Sequence, residues 1–450
     1  MTDTRPPLVP DLGFGGRMRQ VAAIAVPIVL TSATTVVVGA TDTALLGHHS
    51  SEALGVAALV IPLWIFSTAL VMPWGSATQV FVARWHGARD EVSIRVLARA
   101  GLVRAVVIGA GFAVLGAMVT PVILAWTAPV GLDRGEATAM MWVLLCALPF
   151  TAATGHLRGL LAGVGDTGAA ARVALLVAVL NLSVSSVLIF GADLGAVGSG
   201  IGSSIAIAVG AAVLYTRARS VFGRGRRSRG GTDRAMLRSW VAVAVPDVVF
   251  GVVSYGSEVA VTAVAASLGT VSLAAHRMMS ISISLVWMFV YGTAAAMAIL
   301  IGQRIGADDR GGRLAFVRAG TALMLSCAGT TAVLLAVAAK PFFGIFTTDS
   351  AMIAAAAAVV WSLPVLAPIM AIGTVYAAQL RAAADTRGVM YASLFSTLCV
   401  TLPVVWILTE VCHLGLVGVY YGLIAGWVAR TAATYLRYRQ TTAGEVDCPA

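Results

Sequence analysis

AVPIVLTSATTVVVGATDTALLG, spanning Ala25 to Gly47, contains one ionisable side chain, Asp42. About 20 apolar residues in helical form are enough to cross a hydrocarbon core of about 30 Å. The start of this run recurs near the middle of the chain, where Ala244, Val245 and Pro246 repeat Ala25, Val26 and Pro27. The same shift in numbering places Leu54 on Leu273 and Pro149 on Pro368. It also places Gly87, Ala88 and Asp90 on Gly306, Ala307 and Asp309, and Asp166-Thr167 on Asp385-Thr386. Alanine matches carry no weight in so alanine-rich a chain, but the proline, glycine and aspartate matches do. One constant offset over these separate regions predicts two copies of a single unit.

Working outward, apolar runs of this kind continue along all 450 residues. Charged residues make up only 11% of the chain, against about 25% in soluble domains. Twelve helices are expected, at roughly 20–46, 53–83, 97–121, 137–163, 168–191, 194–217, 239–267, 272–304, 314–339, 351–381, 388–410 and 414–437. The fold class is therefore an all-α polytopic membrane protein with two six-helix repeats. An even number of helices per copy makes the repeat parallel, with an axis along the membrane normal. Pro27, Pro73, Pro149, Pro246, Pro364, Pro368 and Pro403 fall within or at the ends of spans, where each removes a backbone donor and bends or breaks its helix. The first apolar run lacks the small-residue cleavage site of a signal peptide.

Charge sets the orientation. Of 30 lysines and arginines, all but Arg134, Arg277 and Lys340 fall on the side of the N-terminus when alternate loops are assigned to opposite sides. Cytoplasmic loops carry the Lys/Arg excess, so both termini are expected in the cytoplasm of a cell-membrane protein. This asymmetry also accounts for the net charge of +10 without a nucleic-acid partner. The domains expected are a lobe at 1–217, a basic linker at 218–238, a second lobe at 239–437 and a tail at 438–450. Cys146, Cys327, Cys399, Cys412 and Cys448 show no paired spacing, so neither a disulfide framework nor a metal motif is expected. No cofactor is expected, and a monomer is.

Ionisable and polar residues inside spans are functional candidates, because charge at the bilayer centre is costly. Thr31, Thr35 and Asp42 lie close to one face of the first helix. Ser254, Glu258 and Thr262 step along one face of the seventh, with Arg277 across the eighth helix as a partner for Glu258. Asp247 reads as solvated near a helix end, and His276 as a packing residue. Gln79 and Trp64 on helix two, and Trp287, Met288 and Tyr291 on helix eight, suit an adaptable pocket. Asp166 and Asp385, near Arg158 and Arg381, read as contacts at the cytoplasmic ends. Applying the repeat shift to the polar positions sets Val261 opposite Asp42, Val400 opposite Asn181 and Val404 opposite Ser185.

Several of these stretches resemble the multidrug and toxic compound extrusion (MATE) family. The first helix from Ala25, with its early proline and its Asp-Thr before a glycine, is one. Others are LLAGVGDTGAAARVALLVAVLN ending at Asn181, GTVSLAAHRM (Gly269–Met278), IGQRIGADD (Ile301–Asp309), LRAAADTRGVMYASL and GLVGVYYGLIAGWVAR. The likeness covers nearly the whole chain and is closest to the DinF-like bacterial branch. It implies a V-shaped two-lobe bundle that exchanges protons or sodium ions for bulky, often cationic or amphipathic compounds. It further implies a cation-coupling site at Asp42, Asn181, Ser185 and Ser203 and an acid at Glu258, which with Gln79, Tyr291 and Met288, read from their side-chain chemistry, makes the expected substrate or cation cleft. At position 185 the family usually has an aspartate. Ser185 removes one carboxylate, which favours proton coupling or a weaker ion site.

Two other functions compete. A flippase for a lipid-linked or amphipathic substrate requires arginines inside spans, for which Arg277 and Arg104 are the residues considered. An intramembrane enzyme requires a metal cluster or a nucleophile–base pair, and neither HExxH nor GxSxG occurs. No ring of charges suggests a channel filter.

Overall fold

A computed structural model describes residues 13–127, 132–223 and 234–446, the side chains of 442–446 excepted. Much of the basic linker, part of the tail and Cys448 lie outside the described residues. The described chain is helical, with no strand. Twelve helices are long and apolar enough to cross a membrane. They are α1 (Phe14–His49), α2 (Ser51–Gly87), α3 (Glu91–Trp126), α4 (Arg134–Gly163), α5 (Thr167–Gly191), α6 (Gly195–Phe222), α7 (Arg234–Ser267), α8 (Thr270–Gly306), α9 (Arg310–Val337), α10 (Ser362–Ala382), α11 (Thr386–Val411) and α12 (Gly415–Thr441).

Proline acts differently from helix to helix. Pro27 and Pro246 lie inside α1 and α7, which continue through them. At Met72 and Ala147 the helix is interrupted, and Pro73 and Pro149 open the following segment. There a missing N–H costs least, because first-turn donors have no intrahelical acceptor. The expected single helix at 351–381 is two pieces, Ser350–Val359 and Ser362–Ala382, joined by a turn at Val360 and Trp361 just before Pro364.

The chain divides into two compact units. One is Pro27–Val248. The other comprises the described residues of Met1–Val26 and of Val249–Ala450. The boundaries fall beside the equivalent prolines of α1 and α7, so each of those helices gives its first turns to the unit opposite the one holding its remainder. In the unit Pro27–Val248, Leu46, Val56, Leu124, Leu144, Leu148 and Ile189 form an apolar core, and Trp64 packs against it. Glycines let α2 and α4 approach backbone to backbone: a Cβ on Gly75 would strike the carbonyl of Gly155, and one on Gly159 that of Gly75.

The repeat is visible in the loops. Left-handed residues recur at Arg89 and Asp308, Gly165 and Ala384, Asp193 and His413, and Gly195 and Gly415. Asp166 and Asp385 each cap the next helix, accepting from the N–H groups of Ala169 and Gly388. Their ion-pair partners are Arg217 (2.8 Å) and Arg437 (2.7 Å), in place of the expected Arg158 and Arg381.

The first two of these left-handed pairs keep the offset of Ala25 and Ala244, whereas the last two are separated by one position more. The additional residue enters α11. A π-helical turn at Ser396–Thr401 widens this helix just before Pro403, and the Thr401 hydroxyl donates back to the carbonyl of Ser396. A π-turn absorbs one inserted residue, and α5 is regular over the corresponding stretch. The terminal π-turns Val187–Gly191 and Ile407–Val411 then match in the lengthened register. The register read from sequence needs correction as a result. Thr401, not Val400, stands opposite Asn181, and Val405, not Val404, opposite Ser185. Neighbouring glycines agree: Gly202 packs on Ser185, and Gly422 on Val405.

Candidate functional site

Asp42 lies on α1 about two turns before the helix end and is only 8% exposed. Asn181 on α5 and Ser203 on α6 meet it. The Asn181 side-chain amide donates to Ser203 Oγ at 2.8 Å and reaches Asp42 Oδ2 at 3.5 Å. The Ser203 hydroxyl donates to the same carboxylate oxygen at 3.4 Å. A fourth group, the hydroxyl of Ser199, also faces the carboxylate and is buried. Ser199 and Ser203 are one helical turn apart on α6, a spacing that would have revealed Ser199 had both serines been read together.

Three oxygens in this region are buried and accept no hydrogen bond from the described residues: Asp42 Oδ1, Asn181 Oδ1 and Ser185 Oγ. Ser185 follows Asn181 by one turn of α5 and is fully buried against Gly202. Buried polar atoms are normally satisfied, so this concentration of free oxygens distinguishes the site. Of the two threonines expected on the Asp42 face, Thr31 is buried and Thr35 is exposed, and both hydroxyls bond back to the carbonyls of their own helix.

The remaining candidates are distributed over both units. Gln79, half-buried, belongs to Pro27–Val248, whereas Glu258, Met288 and Tyr291 belong to the other unit. Glu258 and Tyr291 are exposed and Met288 is half-buried. The Glu258 carboxylate forms no ion pair among the described residues, and Arg277 stands exposed without engaging it. Thr262 donates only to the Glu258 backbone carbonyl. His276 is buried between Tyr420 (3.2 Å) and Thr262 (3.5 Å), a packing position. Asp247, expected in solvent, is instead buried in the interior of α7, directly after Pro246.

Sequence reading missed two clusters. In one, Trp240 Nε1 donates to Thr78 Oγ1 at 3.0 Å, and Thr78 Oγ1 lies 2.9 Å from His156 Nδ1, with both Trp240 and His156 wholly buried. In the other, Arg430 on α12 lies over the rings of Phe250 and Trp427. Arg381 and Arg430 are both inside spans, so Arg277 and Arg104 are not the complete set of intramembrane arginines.

The sequence profile of the MatE family matches residues 27–187 and again 248–407. The chain belongs to the MatE family. One match falls in each of the two copies of the repeat. This MatE chain is similar to a protein named probable multidrug resistance protein NorM from Photorhabdus laumondii. They are 25% identical over 430 residues, covering 91% of this chain and 92% of the relative. Multidrug resistance protein PmpM from Pseudomonas aeruginosa is 26% identical, with 88% and 85% covered. A crystal structure described as MATE in the bent conformation shares the fold at a TM-score of 0.89, with 17% identity and 96% of each chain covered. As a MatE protein with twelve apolar helices, the chain is a multi-pass membrane transporter and not an enzyme.

Proposed function

We propose that this MatE transporter exports small organic, drug-like compounds in exchange for inward-moving protons or sodium ions, with Asp42 as the coupling carboxylate. Three buried, unpartnered oxygens at Asp42, Asn181 and Ser185 support this reading most directly. Such a set suits a hard cation, which takes oxygen ligands. A proton on the Asp42 carboxylate would satisfy the same site. Asn181 and Ser203 fix the carboxylate by donating to it, and Ser199 adds a third donor. Among the described residues the carboxylate is the site's only formal charge, so gaining or losing a cation changes the local charge by one unit in a medium of low dielectric constant. That change is large enough to bias alternating access. Ser185 contributes a hydroxyl and no second charge, which favours protons over sodium.

Glu258, Tyr291, Met288 and Gln79 are the proposed contacts for cationic or amphipathic substrates. The NorM and PmpM names carried by relatives support multidrug substrates. Both termini are expected in the cytoplasm from the distribution of arginine and lysine, the working form is a monomer, and the resemblance along the whole chain favours the DinF-like branch. A flippase on the same scaffold is the second reading, favoured only by the arginines inside α10 and α12.

The test is transport in proteoliposomes under an imposed pH or sodium gradient, with ethidium as substrate. Wild type is expected to accumulate the dye in the direction opposite to the cation, and Asp42→Asn is not. Equal pumping by the Asn variant overturns the carboxylate mechanism. Dependence on a lipid-linked substrate, with no response to dyes, reverses the ranking in favour of the flippase.

A further inference from the structure

Arg430 lies about four turns into α12, about 22 Å along the helix from Gly415. Its guanidinium carbon is 4.9 Å from the centroid of Phe250 on α7 and 4.6 Å from that of Trp427. Trp427 packs on Trp287 of α8, with centroids 5.6 Å apart. A second guanidinium, that of Arg381 at the end of α10, lies 5.7 Å from the same Phe250 ring. Arg430 makes no ion pair and no side-chain hydrogen bond with any described residue. The residue as a whole is half-buried.

Aromatic faces attract a cation but leave its charge and its five N–H donors in place. An arginine at this depth is expected to meet an anion, a carbonyl or a water-filled cavity. The scaffold does not require one here. With the register corrected, Arg430 stands opposite Gly210, Trp427 opposite Ile207, Arg381 opposite Ala162 and Phe250 opposite Thr31. Glycine and alanine therefore fill the corresponding places for the two arginines in the other half. Tyr291, one turn beyond Trp287 on α8, is exposed and offers a further flat face.

We infer that Arg430, with Arg381, Phe250, Trp427 and Trp287, forms a binding site for an acidic group carried on or beside a flat aromatic ring. The planar guanidinium holds a carboxylate, sulfonate or phosphate through paired hydrogen bonds, and the indole and phenyl faces hold the ring. Substrates would then include anionic and zwitterionic aromatic compounds beside cationic ones. An anionic lipid headgroup presents the same acidic chemistry. The site rests on the transporter reading only where its ligand is called a substrate.

Two xanthene dyes share one ring system and differ in charge, fluorescein being anionic and rhodamine 123 cationic. Their binding to the purified full-length protein in phosphatidylcholine nanodiscs is read by fluorescence anisotropy with no gradient present, so failure of ion coupling does not affect the result. Arg430→Gln is expected to weaken fluorescein binding at least tenfold while rhodamine 123 stays within twofold, which also shows that the variant is folded. Arg430→Lys retains the charge but loses the fork, and falls between. Arg172→Gln, an exposed arginine elsewhere, leaves fluorescein binding unchanged. Competition by dihexanoyl phosphatidylglycerol, but not by its choline counterpart, supports the site with a lipid as occupant. Fluorescein binding that resists both lipids supports it with a solute as occupant. Absence of fluorescein binding to wild type, or equal effects of Arg430→Gln on the two dyes, overturns the proposal.

Discussion

The two halves of this transporter share a scaffold and carry opposite chemistry. In the first, α1, α5 and α6 bring Asp42, Asn181, Ser199 and Ser203 together, with Ser185 one turn away. In the second, the equivalent positions are Val261, Thr401, Val419, Leu423 and Val405. Four of the five are apolar, and Val261, Val405 and Val419 are almost wholly buried. Where the first half has Thr31, Ala162, Ile207 and Gly210, the second has Phe250, Arg381, Trp427 and Arg430. The capping aspartates, left-handed loop residues and glycine contacts recur in both. Duplication has preserved what holds helices together, and divergence has changed what the helices enclose.

The largest effect that could break this comparison concerns Asp42. Asp42→Asn is expected to reduce gradient-driven transport on the order of 100-fold, because the site loses its only charge. Adding Val261→Asp to that variant tests whether position or surroundings matter. Position 261 is buried, and Leu423 and Val419 hold the register places of the two serines, so a carboxylate there lacks the serine donors that serve Asp42 and transport stays lost. Recovery would show that the halves are interchangeable and that the polar neighbours of Asp42 are incidental.

Next are the donors. Asn181→Ala and Ser203→Ala each remove a hydrogen bond to a charged group, worth about 1.5–3 kcal/mol, and leave the carboxylate less firmly positioned, so gradient-driven transport should fall on the order of tenfold or more for each. The pair shares one carboxylate oxygen, and a double-mutant cycle on cation binding in detergent is expected to show coupling. Leu423→Ser, the mirror change in the second half, is expected to leave cation affinity unchanged. A scaffold residue sharpens the contrast. A Cβ at Gly202 would crowd the Ser185 backbone, and one at Gly422 the Val405 backbone. Overpacking of this kind costs about 1–3 kcal/mol. Gly202→Ala and Gly422→Ala should therefore lower the thermal midpoint of the purified protein by similar amounts. A large difference between them would show that the two scaffolds are not equivalent.

Much of this was legible in the sequence, and the exceptions have physical causes. Twelve apolar runs, recurrent prolines and a fixed offset are one-dimensional signals, and they gave the spans and the two copies. Three-dimensional features were missed. The turn at Val360 and Trp361 inside an alanine-rich run has no strong punctuation beyond Pro364. The π-turn in α11 adds one residue without any gap in hydropathy, so a constant shift misassigned Thr401 and Val405. Asp42 stood out because it is charged within an apolar run, and Asn181 and Ser203 through the family resemblance. Arg430 escaped because its partners, Phe250 and Trp427, are ordinary in a membrane helix until the packing sets them against a guanidinium. Glu258 drew attention for the same reason as Asp42, yet its carboxylate makes no ion pair among the described residues.

The smallest expected difference lies in the equivalent loops before α3 and α9. Asp90 caps α3 through Ser93, with its carboxylate accepting from the backbone N–H at 3.0 Å and from the hydroxyl at 2.5 Å. Asp309 caps α9 through the N–H of Gly312 at 2.8 Å and also pairs with Arg304 at 2.5 Å. Partial burial pushes the Asp309 carboxyl upward, but the Gly312 N–H and the Arg304 guanidinium outweigh it, and the group titrates below the ordinary 3.8. A carboxyl with a depressed folded-state value contributes stability at pH above its unfolded value, and that contribution disappears as pH falls through the folded value. The loss therefore lies below about pH 4. The Asp309 side chain is 37% exposed, and exposed pairs are worth about 0–1 kcal/mol, so the whole effect should stay within that range. Asp309→Asn is expected to lower the thermal midpoint slightly at pH 7 and to converge on wild type as the pH falls below about 4. Arg304→Gln should remove part of the same difference while leaving the cap to Gly312 intact. If Asp309→Asn instead remained equally destabilised at pH 3, its contribution would lie in the shape of the loop rather than its charge, and the two loops would be equivalent after all.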